Sequence, residues 1–409
     1  MKKLLMIAFP FPPFGVGETI RAMKFIKYLP RNGWDPIVLT LASSKMVDFS
    51  EFKHLTVYRV PFLKENQTEE ANKASTTKIP YPLLSLIKWF AIPDSLMWWI
   101  PFAVNAGMKI AKEKNIDAIY SVSPNHSCHI VAMLVSKNLG IPWVADFKDP
   151  WTTNPFEKYP TTLHKKLNFI LESKVFDSAN KIITVSDPIR EDFISRHQKN
   201  ANKISVITNG FDYDDFKFIK SRKKRKDKII ITHTGSLYGP RNPTTFLQAI
   251  KMVKNSNLEL AKRIKIVFVG KSDVDINLLA KELGIEDCVE CIQPVPYEES
   301  LQYQVNSDIL LLIPGPGKGT VTGKVFEYMA IGKPIIALTD NDSFVARILK
   351  KTNIAFIIEF DNVNEISNVV RNVCELVLKG NLPKPNKKEI NKYDRESLTE
   401  KLANILNKL

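Results

Sequence analysis

Short apolar runs alternate with stretches of helical length along the whole chain, and this alternation constrains the fold more than any other feature. In the first half the strand-like runs are "LLMIAF", "PIVLTL", "TVYRV", "AIYSV", "WVADF", "KIITVS" and "ISVIT". In the second half they are "KIIITHTG", "IKIVFVG", "CVECIQ", "ILLLI", "PIIAL" and "AFIIEF". Runs apolar on both faces belong inside parallel sheets covered on each side by helices. At 409 residues the chain is long for one core. The stretch "KFIKSRKKRKDK", with eight Lys or Arg in twelve positions, marks the break. The expected fold class is α/β, with two doubly wound, Rossmann-like domains facing a cleft. Their expected extents are residues 1–216, a basic linker at 217–228, residues 229–385, and a C-terminal helix over 386–409 packing back toward the first domain. Ligands of such sheets bind beyond the carboxyl ends of the strands, so the loops that follow strands are where function is sought.

Composition removes several classes. A hydrophobic content of 44% with 25% charged residues is that of a folded chain. The excess of 58 Lys and Arg over 43 Asp and Glu, a net +15, favours anionic partners. No nucleic-acid recognition module accompanies that excess, so nucleic acid is not expected as a partner. Four scattered cysteines make no disulfide framework, and Cys288 and Cys291 lack a second pair to complete a zinc site. The opening "MKKLLMIAFPFPP" has too short an apolar run for a signal peptide and reads as a first strand. Nothing approaches eighteen uninterrupted apolar residues, so no bilayer span is expected.

The stretch "GTVTGKVFEYMAIGKPIIAL" starts a helix near Gly323, since Val325, Phe326, Met329 and Ala330 recur at helical spacing. A helix start welcomes phosphate, and Lys324 adds a full charge. Glu327 would repel that phosphate unless it faces something else, such as a pair of sugar hydroxyls; the alternative is a surface glutamate favouring the helix dipole. After the first strand, Gly15 and Gly17 allow a close backbone approach before the helix bearing Arg21. "SPNHSCHI" offers His126 in a loop and His129 on the following helix. "VADFKDPW" crowds Asp146, Lys148 and Asp149 at a strand end, where desolvating charge is costly and a ligand is the expected compensation. In the second half, Gly235 and Ser236 permit close contact and Arg241 supplies a charge suited to a diphosphate. Asp273 and Asp275 have the spacing of a metal-binding pair but sit on a loop leading into a helix, where a surface role is the simpler reading.

Taken in order, the Pro/Gly loop, "DFKDPW", "TNGFD", "HTGSLYGPRNP", "VFVG" and "KVFEYMAIGKPIIAL" resemble the family-4 glycosyltransferases of the GT-B fold over nearly the whole chain. The resemblance implies transfer of a sugar from a nucleotide donor to an acceptor with retention of configuration, without an essential metal or other cofactor. It assigns Glu327 to the nucleotide ribose, and Arg241, with Lys324 compensating for Ser236, to the diphosphate. It also brings the backbone near Gln293 and Val295 to the nucleobase, and puts Asp146, Lys148 and Asp149 near the reacting sugar and acceptor, where His126, from its loop position alone, stands as a further catalytic candidate. Where the family commonly has a first glutamate, this chain has Gly319; a bacterial subgroup with "KxFEYxAxGKP" lacks that glutamate too.

Residues 79–114 are rich in Trp and Leu with lysines behind, which reads either as a peripheral contact with an anionic membrane or as core of the first domain. The expected partners are thus a nucleotide-sugar donor and a glycan or lipid-linked acceptor, in polysaccharide or glycoconjugate assembly; the expected location is the cytoplasm, with peripheral attachment to the cytoplasmic membrane face if residues 79–114 make that contact. A nucleotide-sugar epimerase on the same architecture, and a non-catalytic nucleotide or glycan binder, are the alternatives.

Overall fold

A computed structural model describes residues 1–13, 16–43, 55–61, 91–154, 157–219, 227–315 and 322–409, with only the backbone described for residues 16–18. The chain forms two compact units, Met1–Thr208 with Leu398–Leu409, and Asn209–Ser397.

Unit 1 is a parallel sheet of β1 (Lys2–Ala8), β2 (Trp34–Leu41), β3 (Thr56–Val60), β4 (Ala118–Val122), β5 (Trp143–Phe147), β6 (Lys181–Thr184) and β7 (Ile204–Val206), in the order β3-β2-β1-β4-β5-β6-β7. Alternate residues of a strand leave opposite faces of the sheet. Leu5 and Ile7 of β1 accordingly join one buried layer with Trp99, Val131 and Phe176, while Leu4 and Met6 join the other with Phe25, Trp34 and Tyr120. That second layer also takes in Leu398, Leu402 and Leu406 of the last helix, Arg395–Leu406. The Trp34 Nε1–H donates to Asn407 Oδ1 at 3.1 Å, fastening the helix at its end.

Unit 2 is a parallel sheet of β8 (Ile229–Thr234), β9 (Ile264–Val269), β10 (Val289–Ile292), β11 (Ile309–Leu312), β12 (Ile335–Leu338) and β13 (Ala355–Ile358), in the order β10-β9-β8-β11-β12-β13. Ile309 and Leu311 face one core layer, Leu310 and Leu312 the other. The strand order reverses between β1 and β4 in unit 1 and between β8 and β11 in unit 2, the switch points where open α/β sheets bind ligands.

The units divide after Thr208 rather than at residue 216. Backbone bonds explain the difference: Phe211 N–H donates to Tyr393 O at 3.1 Å, and Arg395 N–H donates to Phe211 O at 2.8 Å, so the segment after 208 is paired inside unit 2. Of the basic run at 217–228, residues 220–226 lie outside the described residues.

Candidate active site

In unit 2, β8 ends at Thr234 and the chain turns at Gly235, whose φ of 113° suits glycine. The turn is braced by the end of β9 and the loop after it: Gly235 N–H donates to Val269 O at 2.7 Å and Leu237 N–H to Lys271 O at 2.8 Å. Lys324 opens the helix Lys324–Ile331 and lays its side chain over this turn. A Cβ added at Gly235 would lie 2.0 Å from Lys324 Cε and 2.4 Å from its Nζ, so the absent side chain is the space the ammonium occupies. The Arg241 guanidinium is held from two sides, with Nε donating to Pro314 O at 3.0 Å and Nη1 to the Tyr238 hydroxyl at 3.1 Å.

His233, the penultimate residue of β8, registers both cations. Its Nδ1 lies 3.0 Å from Leu311 O, and since a carbonyl only accepts, Nδ1 carries the proton. Burial pushes its pKa down to about 3; the bond to Leu311 opposes this, and Lys324 and Arg241 add to it. A neutral imidazole thus lies beneath two fixed positive charges.

One turn into the helix, Glu327 is oriented by Gln304 of the helix Tyr297–Asn306. Gln304 Nε2 donates to Glu327 Oε2 at 2.8 Å and to Thr234 Oγ1 at 3.0 Å, tying the carboxylate to the end of β8. Tyr328, on the buried side of the helix, accepts from Thr234 N–H at 3.1 Å. The Tyr297 hydroxyl donates to Asp215 Oδ2 at 3.4 Å, and burial together with the negative charge of Glu327 and Asp215 pushes its pKa up.

The structure therefore gathers Gly235, Arg241, Gly323, Lys324 and Glu327 at the carboxyl ends of β8 and β11. Ser236 is exposed beside Gly235. Gln293 is exposed and Val295 half-buried, in the segment joining β10 to the helix of Gln304. Gly15 and Gly319 lie outside the described residues, and Gly17 is in the first turn of the helix Val16–Tyr28. Asp275 caps the helix Ile276–Leu283 by accepting from Leu278 N–H at 3.0 Å, which explains that carboxylate without a metal. Sequence reasoning passed over Gln304, His233 and Tyr297, although His233 and Tyr297 stood within stretches singled out, "HTGSLYGPRNP" and "CIQPVPYEE".

In unit 1 the residues at the end of β5 and just after it separate into two kinds. Asp146 does not await a ligand: it is fully buried, and its carboxylate accepts from Arg21 Nε at 2.7 Å and Nη2 at 3.2 Å and from the Tyr120 hydroxyl. Arg21 also donates to Ile207 O at 2.8 Å and Thr208 O at 2.9 Å, so the pair stitches the first helix to the end of the unit. The desolvation cost that suggested a substrate contact is offset internally, and Asp146 is a positioning residue; breaking such a pair costs about 3–5 kcal/mol. Lys148 is half-buried and Asp149 exposed. Protein around Asp149 raises its carboxyl pKa, and Lys148 opposes the rise. Trp151 is buried, donating from Nε1 to Asn168 Oδ1 at 2.9 Å, and the His126 ring stacks on it at 4.3 Å and 5°. Burial and the neighbouring His129 push the His126 pKa well down, and its Nδ1 has no hydrogen-bond partner among the described residues. His129 instead shares a 2.8 Å bond with Ser121 and is held in the core.

Two doubly wound parallel sheets, the second presenting a glycine turn, two cations and an oriented carboxylate at its switch point, define a GT-B glycosyltransferase fold. Residues 17–215 match the description Glycosyltransferase Family 4 and residues 214–395 match Glycosyl transferases group 1. The chain belongs to the family-4 glycosyltransferases of the GT-B fold. Among curated proteins it is similar to a D-inositol 3-phosphate glycosyltransferase of Corynebacterium jeikeium, 25% identical over an alignment of 185 residues that covers 41% of this chain and 43% of that protein. The alignment thus spans less than half of this relative. Among solved structures, Anabaena HepE in complex with UDP has a TM-score of 0.68 at 15% identity, and a Rickettsia africae glycosyltransferase has 0.63 at 14%. The first covers 100% of both chains, and the second covers 100% of this chain and 98% of its own.

Proposed function

We propose that the protein moves a sugar from a nucleotide-sugar donor to a glycan or lipid-linked acceptor, with retention of configuration, in polysaccharide or glycoconjugate assembly. The observation that carries this reading is Lys324 lying over Gly235 while Gln304 turns Glu327 to a fixed heading one helical turn away. Lys324, Arg241 and the N-terminal N–H groups of the Lys324 helix meet the diphosphate, where negative charge grows as the glycosidic bond breaks. Glu327 accepts from the ribose hydroxyls. The leaving phosphate deprotonates the acceptor on the face it leaves, so the protein's task is positioning and charge stabilisation, and no metal ion is required. Gln293 and Val295 are assigned to the base, and Lys148, Asp149 and His126 to the sugar and acceptor. The complex of HepE makes UDP the first nucleotide to try.

A lipid-linked acceptor would place the enzyme at the cytoplasmic face of a membrane. Residues 79–90 of the segment assigned to that contact lie outside the described residues. In the remainder Trp99 is core, its Nε1–H donating to Val60 O at 3.1 Å, while Trp98 and Phe102 are 46% and 49% exposed.

Thermal melting with UDP, GDP, ADP and dTDP and their sugar conjugates tests the donor site. A ligand at a hundred times its Kd adds about 2.7 kcal/mol. One nucleotide is expected to raise the melting temperature, and Glu327→Ala to abolish the rise. A wild-type protein stabilised by none of them would refute the reading. Conversion of a nucleotide-sugar without acceptor would favour an epimerase.

A further inference from the structure

The helix Thr162–Ser178 carries apolar residues on two opposite sides. Its inner side is buried through His164, Asn168, Glu172, Val175 and Phe176. Leu163, Leu167 and Ile170, at i, i+4 and i+7, line the outer side and are 58%, 38% and 41% exposed. A helix at the surface of a globular unit needs one apolar stripe; a second marks a surface that meets something.

Charge identifies what it meets. Lys166 and Lys174 stand within or at the edge of the outer stripe, Lys158 precedes the helix, and none of the three makes an ion pair among the described residues. The helix's own two carboxylates do not offset them: Glu172 faces inward to Arg196 and His197, and Asp177, at the far end, is paired with Lys199. The chain as a whole carries +15. A second copy of this face would bring Lys166 and Lys174 against their own equivalents, whereas an acidic surface would neutralise them.

We propose that this helix docks on an acidic lipid bilayer, with Leu163, Leu167 and Ile170 entering the acyl boundary and the lysines meeting the headgroups. The surface lies outside residues 79–114 and its use does not depend on the donor site.

Cosedimentation of the full-length protein with phosphatidylglycerol vesicles and with phosphatidylcholine vesicles tests it. Wild type is expected to bind the first and not the second. Leu163→Ser/Leu167→Ser/Ile170→Ser and Lys166→Gln/Lys174→Gln are each expected to weaken binding by roughly tenfold or more, with unchanged melting temperature. Absence of wild-type binding, or binding unchanged in the lysine variant, would overturn the proposal. So would a dimer, seen by light scattering, that the triple variant dissolves, since the stripe would then belong to a second copy. A clear fall in melting temperature of the triple variant, with vesicle binding retained, would mean that the chain itself covers the stripe and would equally overturn it.

Discussion

Thr234, Gln304 and Glu327 form a hydrogen-bonded chain in which both N–H groups of the Gln304 amide are engaged. Removing that amide leaves the Glu327 carboxylate free to rotate away from the position proposed to meet the ribose. Gln304→Leu is therefore expected to weaken nucleotide binding by about 1–2 kcal/mol, roughly five- to thirtyfold. The loss should be non-additive with Glu327→Ala and absent for a 2′,3′-dideoxynucleotide. Additive losses in calorimetric titration of the double variant would show that the two residues act separately. Lys324 and Glu327 were legible because their spacing was read against a helix whose start the glycine betrayed. Gln304 was not, since nothing in "YEESLQYQVN" tells which side chain meets a residue of another helix. Asp146 was misjudged for the same reason: its charge was visible, but its partner Arg21 lies 125 positions away.

At the scale of elements, every strand expected in the sequence is present and parallel, because a run apolar on both faces has few other places to go. The turns between strands were legible only as glycines, without their partners. Gly270 shows what was missing: its φ is 136°, and a Cβ there would lie 2.5 Å from Gly235 O, backbone against backbone. The loop after β9 thus fixes the height of the turn beneath Lys324. Gly270→Ala is expected to destabilise unit 2 by about 1–3 kcal/mol and to weaken nucleotide binding as well. Circular-dichroism melts with and without the nucleotide that binds wild type check both; an unchanged affinity would separate the loop from the site.

Across the whole molecule, buried neutral imidazoles make the fold sensitive to acid. Burial pushes the pKa values of His129 and His233 from 6.5 down to about 3, and burial aided by His129 lowers that of His126. Between those values the unfolded chain takes up protons that the folded chain refuses, so stability is full above about pH 6.5 and falls as the pH drops toward 3. Melting temperature should decline over that window, and His233→Gln should shallow the decline in unit 2; a flat profile would place these rings in water. Two sheets joined near the middle were readable from the runs and the basic stretch. Where the units part was not, because the pairing of Phe211 with Tyr393 and Arg395 joins segments far apart in sequence.

Unit 1 opens with the first strand and closes with the last twelve residues, so unit 2 is in effect inserted within it. On a ribosome the order of emergence matters. Unit 2 is complete, apart from its final residues, while Leu4, Phe25 and Trp34 still lack the helix side chains that cover them. The domain whose first strand emerges first is completed only after unit 2, and a chain stalled before Leu398 would display that uncovered layer to the chaperones and proteases around it.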